Sequence, residues 1–219
     1  ALYNYTEGYG SYLIPAVMIV IIFQTMLMVI AMLTGEEAEE RRKRKLDGLQ
    51  CLSATSFYKD SSFQGEKGDS FTWKKALQIV SGRTFVYVML YVVFSMFLLG
   101  LLPHLFSIPN IGSGWDIITM MIPFLLGTSF FALAVSRWFT DSEAPLLMIA
   151  FFSVGYIFLS GVSYPLELMP WYWQAIHYLF PVAPAVLAFV KLNSMGASLS
   201  DIWPQMLVLW IQVIIYGIL

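Results

Sequence analysis

The chain has 219 residues, 58% of them hydrophobic and 12% charged, with a formal net charge of −2. A soluble domain carries about 25% charged residues, and the apolar residues here fall in membrane-length blocks, so a water-soluble globular fold is excluded. The single cysteine, Cys51, excludes an intrachain disulfide.

Residues 1–11 read as the end of an outer region. The first residue is Ala1, and neither a basic leader nor a small-residue cleavage site precedes the first apolar block, so a signal peptide is not expected. The chain is read as a fragment with sequence missing at both ends. The charge-free block 12–33 predicts the first span, since a helix needs about 20 apolar residues to cross the hydrocarbon core.

The segment 34–83 follows, with ten of the twelve Lys and Arg residues. Glu36 to Leu46 is a helix candidate. Glu37–Arg41, Glu39–Lys43 and Glu40–Arg44 are acid-before-base pairs four residues apart, each adding about 0.2–0.5 kcal/mol. Ser53 to Thr72 is rich in Ser, Gly and Asp and reads as a loop. In Trp73 to Arg83, Trp73, Leu77 and Val80 share helical spacing while Lys74 and Lys75 take other faces. That pattern predicts an amphipathic elbow lying along the membrane surface.

Four more charge-free stretches predict spans at about 84–103, 117–136, 144–164 and 202–219, making five. Between the last two, Pro170 and Pro184 can each start a short helix, Pro181 separates them, and Gly196 can end the second. Helices of about ten residues are too short to span. The region 165–201 is therefore expected to be a re-entrant hairpin dipping into the outer leaflet, with Trp171, Tyr172, Trp173 and Tyr178 as an interfacial belt.

Basic residues stay on the cytoplasmic side. Segment 34–83 is thus expected inside, the start of the chain outside and its end inside. An outside start implies a missing earlier span, so six spans are expected in full. The fold class is an all-α polytopic membrane bundle.

Several chemistries lack their motifs. The chain has neither a P-loop nor an H-E-x-x-H, and His104 and His177 have no ligand cluster around them. The middles of the spans hold no Asp, Glu, Lys, Arg or His, where an ion-coupled transporter generally carries such groups. Their polar residues are Gln24, Ser95, Thr128, Ser129 and Ser153. Gly127, Ala132, Ala134 and Ser136 are small enough for close helix packing.

Together these pieces resemble the permease subunit of a type-2 ATP-binding-cassette (ABC-2) exporter, of the efflux-pump-like subgroup with an outer domain between its first and second spans. The resemblance covers nearly the whole chain. Asn4 followed by Tyr12-Leu13-Ile14-Pro15 looks like the approach to the family's second span, with Ala16 where a Gly is usual. Thr34-Gly35-Glu36-Glu37 with Glu39 looks like its acidic coupling segment. Gly82-Arg83 resembles the Gly-Lys opening its third span. Ser160-Gly161, Tyr164-Pro165, Met169-Pro170-Trp171, Leu179-Phe180-Pro181 and Lys191 to Gly196 resemble the end of its fifth span and its outer re-entrant helices. The chain departs from the family where the basic run Arg41 to Lys45 replaces a Pro-containing turn.

The resemblance implies a transport subunit of the bacterial inner membrane with no catalytic residues, no metal and no cofactor of its own. ATP-Mg would sit on a separate ABC ATPase. Glu36, Glu37, Glu39 and Arg41 would contact that ATPase, with Arg137, Asp141 and Glu143 as a second inner loop. A second permease copy would complete the pathway, with Phe23, Met26 and Phe152 as apolar wall residues. Pro165, Pro170, Trp171, Trp173 and Pro181 would form an outer gate. A periplasmic adaptor and an outer-membrane channel are implied as further partners. The substrate would be drug-like or lipid-like. An ion-coupled transporter and a non-transporting membrane scaffold are the alternatives.

Overall fold

A computed structural model describes residues 9–54, 73–105, 112–139, 143–161 and 169–218. Among these residues there are helices and turns and no strand: α1 (Tyr9–Ala54), α2 (Trp73–Met96), a π-helical turn (Phe97–Leu101), α3 (Leu102–Leu105), α4 (Gly114–Ser136), α5 (Ala144–Leu159), α6 (Trp171–His177), α7 (Val182–Met195) and α8 (Trp203–Ile218). The all-helical fold is as expected. Three helical stretches are long and apolar enough to cross a membrane: Leu13–Glu40, Val80–Leu101 and Gly114–Ser136. Helices α5 and α8 occupy the other two expected positions but have 16 residues each, about 24 Å at 1.5 Å per residue. The pair α6 and α7, bent by 84°, is either a fourth, broken span or a re-entrant loop.

Helix α1 joins two expected pieces into one. It runs unbroken for 46 residues from the first span through the acidic and basic segment, about 69 Å at 1.5 Å per residue. The hydrocarbon core is about 30 Å thick, so a long stem continues beyond it. Neither Gly nor Pro interrupts Glu36 to Leu46, and the acid–base pairs carry the helix on. Similarly, α2 begins at Trp73 and passes through Arg83 without a break, so the helix does not end where an elbow was expected. The expected loop 55–72 lies outside the described residues.

The core forms where α1 meets α4 and α7. Ile19, Ile22, Phe23, Met26 and Ile30 of α1 are fully buried, on one face at three- and four-residue steps. Helix α4 is central and packs on α1, α2, α7 and α8. Its small residues permit this: Ala132 and Ser136 are buried, and a Cβ on Gly127 would stand 3.5 Å from Val213 of α8. Most hydroxyls at membrane depth bond within their own helix, as Ser129 does to the Leu126 carbonyl at 3.0 Å and Ser136 to that of Leu133 at 2.8 Å. Helix α2 is peripheral, with Phe85, Val86, Met89, Leu90 and Val93 exposed. Its π-helical turn has a local cause. Pro103 has no N–H for the Leu99 carbonyl, and its ring crowds that carbonyl, so the ladder widens just before it.

Helix α7 departs most from expectation. It begins at Val182, two residues before Pro184, and Pro181 is its N-cap. Ten of its 14 residues are buried, from Val182 to Asn193, and it packs on α1, α4 and α8. A helix apolar on all sides is a core helix. Helix α7 is therefore inside the bundle, while α6 leaves Trp171, Tyr172 and Trp173 exposed.

Candidate functional site

Two regions carry the residues of interest. The first is the stem of α1. Glu37 accepts a hydrogen bond from the Arg83 guanidinium of α2 at 2.7 Å, so the two helices are tied at this end. Glu39 pairs with Lys43 at 2.9 Å, four residues on, and this neighbour holds the Lys43 ammonium above its ordinary pKa through a hydrogen bond and its charge. Glu36 is exposed. An open cavity of about 580 Å³ runs along the stem. Val29, Met32 and Leu33 line its apolar half and Glu36, Glu39 and Lys43 its charged half. That change of lining marks where α1 leaves the apolar layer.

The Arg83–Glu37 pair is one-third to one-half exposed, so screening leaves it little net energy. A double-mutant cycle with Arg83→Ala and Glu37→Gln is expected to give a coupling of about 0.2–1 kcal/mol, read by thermal unfolding in detergent. A coupling indistinguishable from zero would mean that this contact does not hold α1 to α2.

Arg137 caps the end of α4 and is exposed, and Glu143 precedes α5 and is exposed. Asp141, Pro165 and the Arg41 side chain lie outside the described residues.

The second region is the corner between α6 and α7. Pro170 is the N-cap of α6, Trp171 and Trp173 are exposed, and Pro181 is buried at the bend. The bend itself lies deep. The Phe180 ring stands 5.6 Å from that of Phe131, a residue seventeen positions along α4, or about 25 Å from its start. Phe131 also meets Phe23 of α1 at 6.0 Å and Tyr216 of α8 at 5.1 Å. Tyr156 of α5 completes the group, 5.2 Å from Phe23 and 5.5 Å from Phe180. One connected set of five rings thus joins α1, α4, α5, α8 and the corner.

Polar contacts fix the same place. His177 Nδ1 lies 2.6 Å from the Leu159 carbonyl at the end of α5, and a carbonyl only accepts, so this nitrogen carries the proton. Gln212 of α8 donates to the Tyr178 carbonyl at 2.7 Å. The Tyr216 hydroxyl, one turn further along α8, donates to the Leu179 carbonyl.

The expected wall residues do not converge. Phe23 and Met26 are fully buried within the bundle, whereas Phe152 is 44% exposed on its outside. Sequence reasoning passed over Gln212, Tyr216 and Gly112. The first two were isolated polar groups in an apolar block, and only their four-residue spacing hinted at a shared target. A Cβ on Gly112 would stand 2.6 Å from the Leu192 carbonyl oxygen, so the turn before α4 lies directly on the backbone of α7. Past that helix, Gly196 adopts a left-handed φ of 62°, as its place at the C-cap requires. Asp201 then accepts two 2.9 Å hydrogen bonds from Ser198, which hold its carboxyl below the usual range.

Among the described residues there is no cluster of His, Cys, Asp and Glu able to hold a metal. A family model described as ABC-2 family transporter protein matches residues 71–219, more than half of the chain. The match takes in α2 to α8 and leaves α1 outside. No curated protein and no solved structure matches the chain significantly.

Proposed function

Because the chain belongs to the ABC-2 family of transporter proteins, we propose that it is the membrane-spanning subunit of an ATP-driven exporter. Membership makes it a transport subunit of a multi-pass membrane protein class that works with an ABC ATPase. The finer reading is that it exports a hydrophobic or amphipathic substrate from the cytoplasm. In that reading ATP-Mg is hydrolysed on a separate subunit docked beneath the stem of α1. The observation that carries it is the unbroken α1, whose buried face ends in the core and whose continuation bears Glu36, Glu37 and Glu39. A rigid helix shared by the bundle and the stem gives closure of the ATPase a direct route to the membrane helices.

The stem then lies on the cytoplasmic side, with the start of α1 outside. A second permease copy completes the pathway. A periplasmic adaptor and an outer-membrane channel extend it in an inner-membrane setting. Arg137, Asp141 and Glu143 form a second contact with the ATPase. Pro165, Pro170, Trp171, Trp173 and Pro181 form the outer gate.

The test is co-purification of the full-length protein with its ATPase, followed by a screen for substrate-stimulated hydrolysis. Reversing Glu36, Glu37 and Glu39 to Lys is expected to lower ATPase retention at least about tenfold and to abolish efflux, since juxtaposed like charges cost several kcal/mol. Arg83→Ala is the control that breaks the internal pair alone. If the triple reversal keeps both the ATPase and efflux, the stem is not the contact. Efflux that stops when the proton gradient and membrane potential are collapsed, with ATP still present, would favour an ion-coupled transporter instead.

A further inference from the structure

The corner between α6 and α7 poses a problem at membrane depth. The chain turns by 84° there, so the Tyr178 and Leu179 carbonyls cannot go to the N–H groups of Val182 and Ala183 as in a continuous helix. The Ala183 N–H bonds to the Phe180 carbonyl instead, at 3.2 Å. Carbonyls without a donor are costly inside a bilayer. Helix α8 supplies the donors. Gln212 takes the Tyr178 carbonyl and Tyr216 the next one, Leu179. The two side chains are one helical turn apart, so α8 must hold one register and one azimuth to satisfy both.

We propose that Gln212 and Tyr216 are the positioning residues of the re-entrant corner: a latch by which α8 holds α6 and α7 in the bent state, and which opens when the corner moves. It rests on reading α6 and α7 as the outer gate. The latch is releasable because it is incompletely satisfied. Gln212 is 4% exposed, and its amide oxygen has no partner. A buried network left part-filled holds one state less firmly than a complete one. Tyr216 also meets Phe131 edge to face, so its hydroxyl can be removed while its ring stays in place.

The experiment places spin labels at Tyr172→Cys on α6 and Ile214→Cys on α8, both exposed sites, in a background where Cys51 and any other native cysteine of the full-length protein are changed to Ser. The full-length protein with its ATPase is reconstituted in nanodiscs, and pulsed electron paramagnetic resonance reads the distance distribution without nucleotide and with trapped ATP. The otherwise wild-type protein is expected to show one dominant distance without nucleotide, with a minor second population that becomes dominant with ATP. Tyr216→Phe, which keeps the ring, is expected to raise the second population roughly fivefold without nucleotide, the equivalent of one lost hydrogen bond. Gln212→Leu with Tyr216→Phe should show mostly the second distance in both conditions.

Distributions in all variants that match the wild type, with the same response to ATP, would overturn the latch. If the variants shift as expected while the ATPase fails to bind, or ATP fails to move the wild-type distance, the latch stands and the exporter reading fails, since the nucleotide-free comparison reads the corner alone.

Discussion

Replacing Phe131 with Ala is expected to destabilise the bundle by about 2–4 kcal/mol. Phe131 is 7% exposed and its ring meets those of Phe23, Phe180 and Tyr216. In soluble cores a buried Phe→Ala costs about 3–5 kcal/mol, part of it transfer from water and part the cavity left behind. Helices in lipid have already left the water, so packing and cavity terms dominate and the range shifts down. Each lost ring pair adds about 0.5–1.5 kcal/mol beyond simple area. Phe151→Ala is the matched control. That side chain is 83% exposed on α5 and among the described rings touches Phe152 alone, so its removal should stay within about 0.5 kcal/mol. Unfolding in detergent, titrated with SDS and followed by circular dichroism, reads both. Equal losses for the two variants would sink the idea that the five rings are the bundle's hub.

The rings also show what the sequence can and cannot say. Three helices of membrane-spanning length among the described residues were legible, because charge-free runs of about 20 residues have few other uses. The bent helix pair was legible from its punctuation: Pro170 and Gly196 mark helix ends as expected and Pro181 falls between the two helices, although the second starts at Val182 rather than at Pro184. Its depth was not. An apolar decapeptide reads the same whether it lies in lipid headgroups or between α1, α4 and α8, since both surroundings are apolar. Only the partners distinguish them. Phe23 illustrates this directly. On sequence it was a wall residue, and in the fold it is fully buried between Phe131 and Tyr156.

The stem of α1 failed in another way. Its helical segment, Glu36 to Leu46, was visible from the charge pairs, as was the span before it. Their fusion was not, because a change from apolar to charged residues marks a membrane boundary and says nothing about whether the backbone breaks there. The candidate site divides along the same line. Glu36, Glu37 and Glu39 were singled out because charge is conspicuous against an apolar background. Gln212 and Tyr216 were missed because one amide and one phenol are ordinary in such a helix. Their meaning comes from two carbonyls more than thirty residues away.

Gly112 is the same kind of residue, and its substitution should be the most local test of the hairpin's seat. A Cβ there would meet the Leu192 carbonyl oxygen at 2.6 Å and the carbonyl carbon at 3.1 Å. Both are backbone atoms, so neither can swing aside. Leu192 is itself fully buried in a helix closed by Gly196. Either the turn before α4 or the end of α7 must then move. Gly112→Ala is expected to cost about 1–3 kcal/mol, the usual range for overpacking a filled site, and Gly112→Val more. Gly114 lies two residues on and opens α4, and a Cβ there meets nothing within 4 Å. Gly114→Ala should therefore be neutral or gain up to about 1 kcal/mol from a less flexible unfolded chain. The two changes add the same methyl two residues apart, one just before α4 and one at its first position, so apart from the helix propensity gained at Gly114 the comparison reads what each new Cβ meets. What remains is the approach of the turn to α7. If the two variants unfold together, that close approach does not exist in the membrane. If Gly112→Ala alone is destabilised, α7 is gripped at both ends: by the turn before α4 at one, and by the corner on α8 at the other.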